Sequence, residues 1–138
     1  MTERILVGLD DSSQSWNALH YAMDIAKDKD LDKVTAIHSE EGGGDTELDE
    51  YRSAEEILER AKELGENEGV NVETHLLVKG HSPDVDIIKY AEENNFNHII
   101  IGSKGRTGLS RVLLGSVAES VVEKSHCVVT VVRGQCPL

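Results

Sequence analysis

The chain has 138 residues, a formal net charge of −12, one Trp and one Phe. That length suits one domain with a substantial core, spanning residues 1–138, and the scarcity of aromatics makes the core aliphatic. The charge argues against general nucleic-acid binding and against an anionic membrane surface, both of which call for a basic footprint, and no apolar run reaches the roughly 18 residues of a membrane span.

Residues 4–9 (RILVGL) form a nearly continuous apolar run, as expected of a buried parallel strand. The N-terminus enters this strand directly, without a signal-peptide pattern, and the expected location is cytoplasmic. Asp10-Asp11-Ser12-Ser13 is a cluster of helix-capping residues, after which Trp16, Leu19, Ala22, Ile25 and Ala26 recur at helical spacing to about Lys29. Residues 34–39 (VTAIHS) read as a second strand, and an acidic loop with Gly42-Gly43-Gly44 follows. Ser53-Ala54-Glu55-Glu56 is a capping box, and Ile57, Leu58, Ala61 and Leu64 stripe a second helix. That helix is expected to begin a few residues earlier, near Leu48, and Gly69 stops it.

Residues 70–79 alternate as a third strand; Ser82-Pro83 caps and opens a third helix running to about Asn94. Residues 98–102 are a fourth strand. Ser116-Val117-Ala118-Glu119 reads as another capping box, with Val117, Val121 and Val122 on the buried face of a last helix. Residues 127–133 (CVVTVVR) close the chain as a fifth strand. Strict strand–helix alternation predicts an α/β fold: a single doubly wound, five-stranded parallel sheet with helices on both faces.

The motif with chemical content is Gly102-Ser103-Lys104-Gly105, nine residues, then Gly115-Ser116. It joins a strand end to a helix N-terminus, where α/β folds hold phosphates. Glycine lets the backbone come close to an anion, and Ser116 can cap the helix or bind a phosphate oxygen. Lys104, Arg106 and Arg111 put local positive charge inside this segment of an acidic chain. Ligands of such sheets lie beyond the strand carboxyl ends at the point where strand order reverses; if strands one and four are neighbours at that reversal, Asp10 and Gly102 face one crevice, with the end of strand two as its side wall.

The pattern Gly102-x2-Gly105-x9-Gly115-Ser116 resembles the nucleotide-binding signature of the universal stress protein family, in its ATP-binding branch. Ile5-Leu6-Val7-Gly8-Leu9-Asp10-Asp11-Ser12, Ile37-His38-Ser39 and Gly115-Ser116-Val117-Ala118 are similar to that family's first strand and turn, second strand and last helix. The resemblance covers essentially the whole chain. It implies strand order 3-2-1-4-5, a bound ATP with or without Mg²⁺, and a homodimer through the last strand. It implies that Gly8 and Asp10 meet ribose and adenine, and that the Ser39 backbone contacts adenine. Gly102, Gly105 and Arg106 then lie under the ribose and phosphates, and Gly115, Ser116 and Val117 form the phosphate site. Gly8 replaces a common proline and Ser39 a usual aliphatic residue.

Other roles compete at each position. Asp10 and Asp11 are both candidate helix caps; the motif assigns Asp10 to ligand and Asp11 to capping, with water-mediated Mg²⁺ the other use of Asp11. His20, His38, His75, His81, His98 and His126 lack metal-ligand spacing, so no metal site is assigned, and His38 is placed near the crevice. Cys127 and Cys136 have no Cys-x-x-Cys partner, no catalytic residue is assigned, and Trp16 reads as core. The expected function is an ATP-binding stress-response or regulatory module with at most slow hydrolysis. The alternative is an enzyme of adenine-nucleotide chemistry, adenylation or phosphoryl transfer. Against it, the loop Asp10-Asp11-Ser12-Ser13 lacks the glycines of an α-hydrolase Ser-Gly-Gly-x-Asp-Ser loop. A phospho-acceptor receiver is rejected, because no aspartate ends strand three and no lysine follows strand five.

Overall fold

In the computed structural model, residues 2–40, 53–78, 81–104 and 114–134 are described. Five strands, β1 (Ile5–Gly8), β2 (Val34–Glu40), β3 (Val72–Val78), β4 (His98–Gly102) and β5 (Val128–Val132), make one parallel sheet in the order β3-β2-β1-β4-β5. The helices are α1 (Ser13–Asp28), α2 (Ala54–Glu68), α3 (Pro83–Glu93) and α4 (Ser116–Lys124). The chain builds outward from β1 to β3, then returns to build β4 and β5 on the other side. Strand order therefore reverses between β1 and β4, as expected of a doubly wound sheet.

The β-branched runs in β1 and β4 are buried because both faces of the central strands are covered. Ile5, Val7, Val34, Ala36 and Ile100 pack under Ala18, Leu19, Ala22 and Met23 of α1 and Ile57 and Ala61 of α2. On the other face Leu6, Ile37, Ile99 and Ile101 pack under Ile87 and Ala91 of α3 and Ala118 and Val121 of α4. Each fully buried Ile or Leu contributes about 1.5–3 kcal/mol, and this aliphatic core is joined by the buried Phe96 on the α3 face.

Several boundaries differ from expectation, each for a local reason. α2 starts at Ala54 and not near Leu48: Ser53 is extended (φ −66°, ψ 162°) and forms a reciprocal capping box with Glu56. Residues 41–52, with the triple glycine, lie outside the described residues. Gly69 ends α2 in the left-handed conformation (φ 73°), as expected of a C-terminal glycine. β3 begins at Val72, and Cys127 precedes β5, its thiol on the Phe96 carbonyl at 3.1 Å. Val122 is 46% exposed, so the buried stripe of α4 runs through Ala118 and Val121 instead. Among the described residues no helix is long and apolar enough to cross a membrane.

Candidate functional site

β1 pairs with β2 as far as Gly8 opposite Ile37, and with β4 as far as Val7 opposite Ile100, whereas β2 continues to Glu40 and β4 to Gly102. Both neighbours overhang the end of β1. The Leu9 N–H donates to the Ile37 carbonyl at 2.8 Å, so Ile37 directs its main chain toward β1. Two residues on, Ser39 directs its main-chain N–H and C=O the same way, past the last β1 bond. The same alternation, set by His98 donating to the Arg4 carbonyl at 3.2 Å, turns the main chain of Gly102 toward this gap from β4. Gly8 opens the α3 side of the floor: a Cβ there would meet Ile87 Cδ1 at 3.0 Å and Ile101 Cγ2 at 3.6 Å.

The turn leaving β1 is tightly organised. Ser12, and not Asp11, caps α1: its hydroxyl accepts from the Ser15 N–H at 3.2 Å. Asp11 takes a left-handed conformation (φ 68°) that non-glycine residues seldom adopt, and its Oδ1 accepts from the Trp16 indole at 2.9 Å. Trp16 packs partly buried against the core and also holds this turn. Asp10 Oδ1 accepts from both the N–H (2.9 Å) and the hydroxyl of Ser12. The Ser12 hydroxyl also lies 3.5 Å from the Lys104 carbonyl, which joins the β1 turn to the loop after β4.

The two ends of the glycine motif meet. Ser103 is buried, donates its N–H to the Val132 carbonyl at 2.8 Å, and accepts from the Gly115 N–H at 2.7 Å. The start of α4 is thereby pinned beside the end of β4. Gly115 itself is the N-cap of α4 (φ −70°, ψ 167°), and Ser116 is the first helical residue, with no side-chain cap bond. The capping box expected at Ser116 is absent because the helix starts one residue earlier. Glu119 is the first residue to donate back, to the Gly115 carbonyl at 2.9 Å. The N–H groups of Ser116, Val117 and Ala118 find no acceptor among the described residues, the donor set that an anion accepts from at a helix N-terminus.

Gly102 carries a packing duty that the motif conceals. A Cβ there would fall 2.8 Å from the Gln14 carbonyl carbon and 2.9 Å from the Ser15 nitrogen, so the absent side chain admits the first turn of α1. Gly105, Arg106 and Arg111 lie outside the described residues, as does Cys136. His38 is buried and donates from Nδ1 to the Leu9 carbonyl at 2.8 Å, a structural role at the edge of the gap. Among the described residues no group of His, Cys, Asp and Glu is arranged to hold a metal ion.

The sequence reading missed Asp86 and Ser103. The Ser39 hydroxyl donates to Asp86 Oδ2 at 2.6 Å, tying the end of β2 to the first turns of α3. An acidic residue early in a helix ordinarily reads as a complement to the helix dipole, which hid this contact. Asp84 makes a parallel tie to α4, accepting from the Ser120 hydroxyl at 2.6 Å. Hydrogen bonds from Ser120, Ser82 and the local backbone outweigh burial and hold the Asp84 carboxyl below its usual range.

Comparison with known proteins agrees with this fold. The model of the universal stress protein family matches residues 1–133. Universal stress protein MJ0531 of Methanocaldococcus jannaschii is 34% identical over 95% of this chain and 82% of its own length. The structure of protein MJ0577, from a study assigning biochemical function from structure, superposes with a TM-score of 0.81 at 29% identity, covering 99% of each chain. A universal stress protein of Archaeoglobus fulgidus in complex with dAMP superposes with a TM-score of 0.72 at 30% identity, covering 95% of this chain and 98% of that one.

Proposed function

The chain belongs to the universal stress protein family, and from that premise we propose that it is a nucleotide-holding regulatory module that binds ATP at the carboxyl edge of β1 and β4. The observation carrying this reading is that the N–H groups of Ser116, Val117 and Ala118, pinned beside β4 by the Ser103–Gly115 hydrogen bond, find no acceptor among the described residues. They form an anion cradle reinforced by the helix dipole. Asp10 is assigned to ribose, the main chain of Ser39 to the base, with Gly8 beside it, and Gly102 to the floor. Gly105 and Arg106 are assigned to the phosphates on the family resemblance alone. The dAMP complex of the Archaeoglobus relative supports an adenine nucleotide as the ligand class.

Any Mg²⁺ arrives on the phosphates with most of its water retained, in keeping with that ion's habits. The groups identified at the α4 end are main-chain N–H donors and a hydroxyl, which bind phosphate without activating water, so hydrolysis is expected to be slow. The protein is proposed to work in the cytoplasm as a homodimer through β5, whose Val128 is 66% exposed on an edge strand. Calorimetric titration of nucleotide-free protein tests the assignment residue by residue. Asp10→Ala should weaken ATP and adenosine alike, whereas Ser116→Ala should weaken ATP more than adenosine. No heat of binding with millimolar ATP would defeat the reading.

A further inference from the structure

A cavity of about 80 Å³ lies at the amino edge of the sheet, at the strand ends remote from the proposed nucleotide site, between the residues entering β1 and those entering β2. Its floor is Thr35. Alternation in β2 sends Val34 and Ala36 to the α1/α2 face and Ile37 to the α3/α4 face, so Thr35 points with Ile37. Thr35 is 2% exposed, and its hydroxyl makes no hydrogen bond among the described residues. Among those residues no sealed side-chain oxygen lacks a partner, so the part of Thr35 left accessible is its hydroxyl, and the opening it meets is this cavity. A valine would fill the same volume in a buried strand with no polar atom to satisfy.

The walls carry an excess of uncommitted donors. Arg4 is held in place: its Nε donates to the Asn95 carbonyl at 3.2 Å, its Nη2 to the Asn94 carbonyl at 3.1 Å, and the guanidinium carbon lies 4.7 Å from the centre of the Phe96 ring. The other guanidinium N–H groups stay available. Lys33 gives one N–H to Glu73 at 2.7 Å and keeps the rest. Of the acids on the wall, Glu3 is engaged by Lys29 at 2.7 Å and by His98, which leaves Asp32. Two cations with spare donors thus share one small cavity with an unpartnered hydroxyl. At the roughly 30 Å³ that a water occupies, the cavity has room for about three non-hydrogen atoms, the size of a carboxylate group. We propose that it is a second ligand site, taking the carboxylate of a small organic acid. One oxygen accepts from the Thr35 hydroxyl, Arg4 and Lys33 neutralise the charge, and the alkyl part lies against the Phe96 ring. Charge-assisted hydrogen bonds of this kind are the strong ones. This site stands whether or not the opposite edge of the sheet binds nucleotide.

Sodium acetate is the probe, titrated into the ¹⁵N-labelled intact chain in exchange for sodium chloride at constant ionic strength. The amides of Lys33, Thr35 and Phe96 should shift together and saturate, with a Kd on the order of millimolar for so small a ligand. Thr35→Val keeps the buried volume and should weaken acetate about tenfold or more by removing the floor donor. Lys33→Met gives up a partly exposed ion pair with Glu73, at little risk to folding, and should weaken acetate by about the same factor. Shifts that grow linearly without saturating in the wild type overturn the proposal. So does unchanged affinity in a folded Thr35→Val, or in Lys33→Met should the first variant not fold. Saturable shifts confined to the amides of Ser116, Val117 and Ala118 overturn it as well, because the acid then sits at the start of α4.

Discussion

Gly102 and Gly115 show how residues of one motif answer to different forces. Adding a Cβ at Gly102 drives it into the Gln14–Ser15 backbone at 2.8–2.9 Å. Backbone cannot yield as a flexible side-chain tip does, so Gly102→Ala should destabilise the fold by about 1–3 kcal/mol, visible in thermal denaturation without nucleotide. Gly115 sits at φ −70°, open to any L-residue. Gly115→Val should therefore keep the melting temperature while weakening ATP about tenfold by crowding the α4 amides; unchanged affinity in the folded variant would contradict the phosphate assignment. The motif spacing made both glycines visible but not their separate duties, because spacing reports position along the chain and not what packs against it. Asp86 was invisible for the same reason: its partner Ser39 lies 47 residues away. Asp11 was misassigned as a cap because Asp and Ser compete for that role, and only the fold reveals that Ser12 wins it.

Elements were the most legible level, since their periodicity is written in runs of residues. The parallel sheet and the two helix layers follow from alternation and from the double-sided burial of β1 and β4, whereas the strand order was implied by the family resemblance alone. Helix starts were less legible, as at α4, where a serine in the right place is outcompeted by the extended glycine before it. One tie between elements lay outside periodicity altogether. His98 at the start of β4 joins Glu3 before β1 to Thr130 of β5, with 2.7 Å from Nε2 to the Thr130 hydroxyl, and Lys29 after α1 completes the cluster at 2.7 Å from Glu3. Hydrogen bonds from Lys29 and then His98 hold the Glu3 carboxyl below its ordinary range. A depressed carboxyl contributes stability above its unfolded value of about 4.3 and loses it as pH falls through the folded value. Glu3→Gln should thus be less stable than wild type at neutral pH, with the gap closing under acid. Urea denaturation across the acid range checks this, and a gap independent of pH would refute it. In α2, Ser53→Ala removes the reciprocal cap and should cost about 1 kcal/mol in the same measurement.

At the scale of the whole molecule, β5 leaves a sheet edge bearing Val128 at 66% exposure, next to α4 with Val122 at 46%. An apolar edge invites strand pairing, and a chain of net charge −12 needs such a patch to overcome its self-repulsion. Light scattering after gel filtration should give twice the 15.1 kDa chain mass, and Val128→Glu should halve it; a wild-type monomer would contradict the dimer proposal. The proposed nucleotide site is at the carboxyl edge of the sheet, where β1 ends and β2 and β4 overhang, so ATP affinity should survive that variant. The central claim concerns where phosphates rest, and the most direct test is an ATP titration of uniformly ¹⁵N-labelled protein followed by amide NMR. The account predicts that the amides of Ser116, Val117 and Ala118 shift together and saturate at one affinity, with Ser39 and Gly102 moving in step. Saturable binding that leaves those three α4 amides unmoved would contradict it.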